Sequence, residues 1–142
     1  MNGIQVEIRS TSFDPWQELM RWGGDPAAVA VFVGRVRPIA LHGQVLQALE
    51  LEHYPGLCER RLTAMAERLQ QRHKAGAMLV LHRVGLLHPG EPLVLVAVEA
   101  DRRGAAQRCS AELLEELKHH APFWKREWCS DQGTWLVENT PL

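Results

Sequence analysis

Pro122 is the residue that most restricts how this chain can fold. It follows a helical pattern whose apolar stripe is Ala106, Cys109, Leu113 and Leu117. A proline offers no amide donor and disfavours helical geometry in the residue before it, so the helix must stop at or before Ala121. Lys118 then lies in the last helical turn. Beyond the proline, Phe123, Lys125 and Glu127 alternate with Trp124, Arg126 and Trp128, the period of a strand. Two lysines, Lys118 and Lys125, therefore stand on two different elements at one sharp corner. Such a corner can aim both ammonium groups at a common point. Cations near a helix C-terminus also favour its dipole and need do nothing more. The corner alone leaves a structural and a chemical role open.

The rest of the chain reads as short strands and amphipathic helices. Ile4, Val6 and Ile8 predict a first strand. Asp14-Pro15-Trp16-Gln17 predicts a helix start, with Asp14 as cap and Gln17 reaching back to it. Trp16, Leu19 and Met20 are its expected buried stripe. Residues 27–36 are strongly apolar and predict a strand buried on both faces, with Arg37 at its exit. A loop over 38–44 leads to a strand over 45–53, with Leu49 and Leu51 inward. Leu57, Cys58, Leu62, Met65, Ala66 and Leu69 form the stripe of a second helix. A strand over 77–84 precedes a loop over 85–92, where Pro89-Gly90 suits a type II turn. Residues 92–100 are the most apolar strand, expected at the sheet centre. Asp101-Arg102-Arg103-Gly104 opens the third helix. After the corner come a strand over 123–128, a turn at Asp131-Gln132-Gly133 and a last strand over 134–137. Residues 138–142 carry no pattern. This order predicts an α+β fold, one domain over 1–142, with a mixed, mostly antiparallel sheet packed by three helices.

Composition narrows the function. Hydrophobic residues make up 46%, enough for a real core, and the net charge of -1 gives no general field for nucleic acid. Cys58, Cys109 and Cys129 are odd in number and lack metal spacing, which fits a reducing compartment. Cys58 and Cys109 fall on apolar helix faces and read as core. His53, His82, His88, His119 and His120 form no metal motif, and a surface or hydrogen-bonded role is expected for each. No metal or cofactor is expected. The N-terminal residues show no basic region followed by an apolar run, and the longest apolar run, 93–98, is too short to span a bilayer. A soluble, cytoplasmic protein is the expectation, with no membrane or nucleic-acid partner.

Four basic groups fall at element ends: Arg37, Arg103, Lys118 and Lys125. Arginine suits bidentate contact with phosphate or carboxylate, and a helix N-terminus at Arg103 adds unpaired amides for an anion. Arg103 and Lys118, however, are separated by roughly 22 Å of helix at 1.5 Å per residue. They can line one site only if the ligand is long or a second subunit closes it. A lysine crowded by cations loses its proton more easily and can act as base or nucleophile. Glu127, on the same strand face as Lys125, opposes that shift.

Four segments, in order and in register, carry a resemblance: residues 31–37 (VFVGRVR), 49–56 (LELEHYPG), 82–85 with 89–91 (HRVG and PGE), and Leu117-Lys118 followed by 121–127 (APFWKRE). Together they resemble the large, catalytic subunits of molybdopterin synthase, from about Val29 to Val137. The resemblance implies an α/β-hammerhead-like fold. It implies a sulfurtransferase that converts cyclic pyranopterin monophosphate into the molybdopterin dithiolene. The sulfur would come from the C-terminal glycine thiocarboxylate of a small ubiquitin-like carrier subunit. It also implies a homodimer of large subunits carrying a small subunit at each end, with active sites that draw on both large subunits. By position, Lys118 and Lys125 match the family's active-site lysines. Arg37 and Arg103 match its substrate-binding arginines. Arg102 stands where the family commonly has histidine; it can bind an anion but cannot shuttle protons near pH 7. Pro38 also departs from the family's usual polar residue. The departure at Arg102 motivates an alternative, a non-catalytic relative that only docks a ubiquitin-like tail. The intact lysine pair weighs against it. A small α+β domain with an incidental basic corner is the third reading, opposed by the four segments in register.

Overall fold

The computed structural model describes residues 3–137. Their elements run β1 (Ile4–Arg9), α1 (Pro15–Trp22), β2 (Ala28–Arg35), β3 (Ala48–His53), α2 (Leu57–His73), β4 (Met78–Arg83), β5 (Gly85–Leu87), β6 (Pro92–Ala100), α3 (Arg103–His120), β7 (Phe123–Cys129) and β8 (Gln132–Trp135). The fold is α+β, as the element order predicts. The strands form two four-stranded sheets rather than one, in the orders β1-β4-β6-β2 and β5-β3-β7-β8. β1 and β4 run parallel; the other paired strands are antiparallel.

The division into two sheets follows from side-chain chemistry. β4 and β6 are apolar on both faces and take the centre of the first sheet. Val80, Val96 and Val98 face α2 and α3, packing against Cys58, Leu62, Cys109 and Leu113. Leu79, Leu81, Leu95 and Ala97 face the opposite side, against Phe13 and the α1 residues Leu19 and Trp22. β3 and β7 carry charge on one face, where Glu50 takes hydrogen bonds from Arg126 Nε at 3.1 Å and Trp128 Nε1 at 3.0 Å. That face cannot be covered by an apolar helix without stranding charges. These strands therefore pair with each other and bury only the side bearing Leu49 and Leu51.

Several expectations need correction. Of the expected α1 stripe, Leu19 packs inward but Trp16 and Met20 are 56% and 84% exposed; α1 buries Pro15 and packs Trp22 beside Leu19 instead. Asp14 caps the helix by accepting from the Trp16 amide at 3.0 Å, while Gln17 accepts from Arg21 rather than reaching back. β2 is an edge strand and is not buried on both faces: α1, eight residues or roughly 12 Å long, does not cover Val29 and Val31, which are 51% and 41% exposed. The strand after the second loop begins at Ala48, not 45, because Val45 bridges back to Ile39 in a small hairpin. The loop over 85–92 contains β5, which pairs with β3. Its turn forms as predicted, with Gly90 at φ +90, a conformation few side chains tolerate. β8 starts and ends two residues before the expected 134–137. The expectation for 138–142 falls outside the described residues.

Candidate active site

Helix α3 ends where Pro122 requires: Ala121 is extended, at φ -73 and ψ 138. The Phe123 amide then donates to the Ala121 carbonyl at 2.9 Å, which tightens the corner into β7. β7 pairs with β3 so that Phe123, Lys125 and Glu127 lie opposite His53, Leu51 and Leu49. In an antiparallel pair, opposed residues share a face, and here it is the inward one. Lys125 therefore points between the sheets, toward the last turn of α3 and Lys118.

Both lysines line one cavity of about 470 Å³, and Arg37 lines it too. The exit of β2 is clamped to hold Arg37 there. Val36 donates to the Glu91 carbonyl at 3.0 Å, and Gly90 donates back to the Val36 carbonyl at 2.8 Å. Arg35 Nη1 donates to the Gly90 carbonyl at 3.2 Å. The Glu91 carboxylate in turn accepts from Arg83 Nη1 at 3.0 Å and from the His88 amide at 2.7 Å. The His88 amide, with Arg83 beside it, holds the Glu91 carboxyl below its ordinary range. Gly34 also lines the cavity; a Cβ there would sit 2.9 Å from Val94 and 3.0 Å from Phe32.

Among the described residues, the side chains of Arg37, Lys118 and Lys125 have no hydrogen-bond or ion-pair partner. Burial pushes the Lys125 ammonium below the ordinary lysine range, and the charge of Lys118 pushes it the same way. Glu127, set against that shift by its position, is engaged elsewhere. Both of its carboxylate oxygens accept from the Leu41 amide, each at 3.1 Å, and so tether the hairpin that carries Ile39 and Leu41 beside the cavity. The outcome is an amine with an unusually loose proton, facing a second amine.

Arg102 and Arg103 are not brought to this cavity. They are exposed at the opposite end of α3, where Arg102 is the N-cap residue. Two residues of the cavity take places that the sequence pattern does not reveal. Glu127, beyond its charge on the lysine strand, holds the Leu41 loop. His82, expected at the surface or hydrogen-bonded, is hydrogen-bonded, but it is buried and lines the cavity. Its placement inside the apolar run of β4 was the available signal. Cys58 and Cys109 are core, as expected, and burial pushes both thiols up to about 11. No group of metal-ligating side chains occurs among the described residues. Among the described residues, no helix is long and apolar enough to cross a membrane.

Two amines and an arginine on one cavity wall define the class: an α+β domain with a lysine-lined cleft. Comparison with known proteins gives the family. The MoaE protein family model matches residues 8–120, and the chain belongs to that family. The molybdopterin synthase catalytic subunit of Cereibacter sphaeroides is 40% identical over 137 residues, spanning 94% of this chain and 92% of the relative. The solved MoaE protein of Burkholderia ambifaria superposes with a TM-score of 0.80 at 33% identity, covering 98% of this chain and 92% of that one. Molybdopterin synthase of Staphylococcus aureus superposes at 0.81 with 25% identity, covering 97% and 99%.

Proposed function

We propose that this chain, as the catalytic subunit of a molybdopterin synthase, is a sulfurtransferase. It moves sulfur from the C-terminal thiocarboxylate of a small ubiquitin-like subunit to cyclic pyranopterin monophosphate, forming the dithiolene of molybdopterin. The observation that carries this reading is the meeting of Lys118 and Lys125 in one cavity. A charged Lys118 attracts the anionic thiocarboxylate, and Lys125, whose proton is loosely held, serves as proton donor and acceptor at the attacked carbons. Arg37 at the rim suits the phosphate. The three free cysteines fit a reducing, cytoplasmic setting.

Arg102 and Arg103 reach a site only in trans, so the reading includes a homodimer in which α3 of one copy presents its N-terminal end to the other copy's cavity. The open edge of β2, with Val29 and Val31 exposed, leaves apolar surface for such a contact. Arg102, in place of histidine, favours the alternative of a docking module without catalysis; the two lysines retained in the cavity oppose it.

A single-turnover assay decides between them. Protein, cyclic pyranopterin monophosphate and thiocarboxylated partner are mixed, and molybdopterin is read as its oxidised fluorescent derivative. Product from the wild type and none from Lys118→Ala, with the fold and partner binding intact, is expected. Partner binding without product from the wild type would make the chain a docking module. Normal turnover by Lys118→Ala would overturn the lysine assignment.

A further inference from the structure

His82 is the one strongly buried polar group of the cavity that the lysine chemistry leaves unused. It is 6% exposed and lines the same cavity as Lys118 and Lys125. Its ring stacks on Phe123, with centroids 4.0 Å apart and planes 18° apart, which fixes its orientation between the two sheets. Nδ1 lies 2.9 Å from the Arg83 carbonyl oxygen. A carbonyl only accepts, so Nδ1 carries the proton and Nε2 is a bare acceptor. No described residue donates to Nε2, and Nε2 is not among the fully buried unpartnered atoms, so the acceptor stays accessible in a residue that lines the cavity. Burial, with the Lys125 charge nearby, keeps the ring neutral down to about 4. The cavity thus offers cations, Arg37, Lys118 and Lys125 among them, for anionic groups, and in the His82 Nε2 a neutral acceptor.

We propose that His82 is a specificity-determining residue whose Nε2 accepts a hydrogen bond from an N–H group of the pterin ring. An uncharged acceptor suits a neutral N–H donor and gives nothing to a phosphate or thiocarboxylate, which the lysines and Arg37 serve. The assignment rests on cyclic pyranopterin monophosphate being the substrate. The peptide amide of the partner's tail is the competing donor, and the test separates the two.

Wild-type protein with ¹⁵N-labelled histidine is titrated anaerobically with cyclic pyranopterin monophosphate alone, then separately with the small subunit alone. His82→Gln, in which the amide oxygen stands near the Nε2 position, identifies the resonance. The expected result is an Nε2 signal of the unprotonated type that moves upfield with the pterin and stays with the small subunit. In turnover, His82→Phe keeps the stacked ring and raises KM for the pterin about five- to tenfold, the worth of one neutral hydrogen bond. KM for the small subunit stays unchanged, and His82→Gln recovers most of the loss. An Nε2 signal that ignores bound pterin, or responds only to the small subunit, overturns the assignment. Failure of the wild type to bind the pterin at all overturns the substrate reading as well. The resonance test needs no variant to fold other than the one used for identification.

Discussion

At the scale of single residues, the site depends on where protons sit. Lys125 is pushed toward its neutral form by burial first and by Lys118 second. In Lys118→Met the second push is gone, so the Lys125 titration moves to higher pH. The chain has three lysines, Lys74, Lys118 and Lys125, so ¹³C-lysine NMR can follow each one separately. An unmoved Lys125 midpoint would assign its whole displacement to burial. His82 gives a second titration with the opposite practical consequence. The folded ring stays neutral down to about 4, whereas an unperturbed histidine takes a proton near 6.5. Between those values the unfolded chain binds more protons, so stability falls as pH falls. The loss attributable to His82 is about 3 kcal/mol across that window, at 1.36 kcal/mol per pH unit. Urea unfolding at pH 7 and pH 4.5 should show a smaller acid loss in His82→Phe than in the wild type. Equal losses would show that the ring protonates in the folded state at its ordinary pH.

Between elements, the bond from the Leu41 amide to Glu127 ties the site together across residues 86 apart in the chain. Glu127→Ala removes both acceptors. Leu41 amide exchange should then accelerate about tenfold to a hundredfold, from the ~1.5–3 kcal/mol of a hydrogen bond to a charged group. Exchange in the core of α2 should be unaffected. Unchanged exchange at Leu41 would mean that the hairpin bridge between Ile39 and Val45 holds the loop unaided. Contacts of this kind mark the limit of reading the sequence. The corner at Pro122, the stripes of α2 and α3 and the central place of β6 are local patterns, and each formed as read. The buried face of α1, the short β5 and the division into two sheets depend on partners far away in the chain. A histidine in an apolar strand looks the same in sequence whether its second nitrogen is satisfied or open. That Lys118 and Lys125 meet was legible from the Pro122 corner that joins their elements, whereas Arg103, grouped with them by its place at an element end, lies at the far end of α3.

At the scale of the whole molecule, α3 is a rod that separates two sets of cations. Lys118 stands at the cavity, and Arg102 and Arg103 stand roughly 22 Å away. In a homodimer of the proposed kind, each site would take its lysines from one copy and its distal arginines from the other. Equilibrium sedimentation should then show a dimer of 16.1 kDa subunits without any added partner. The length of the rod also has a genetic consequence. Lys118→Ala and Arg103→Ala damage opposite ends, so a mixed dimer holding one copy of each would contain one fully wild-type site and one doubly damaged site. Two inactive preparations, dissociated and reassociated in equal amounts, should recover about a quarter of the wild-type sites by random pairing. Lys118→Ala with Lys125→Ala should recover none, because both lesions fall in the same copy's half of the site. Two recessive alleles of this gene would rescue each other or fail to do so according to which end of α3 each one strikes.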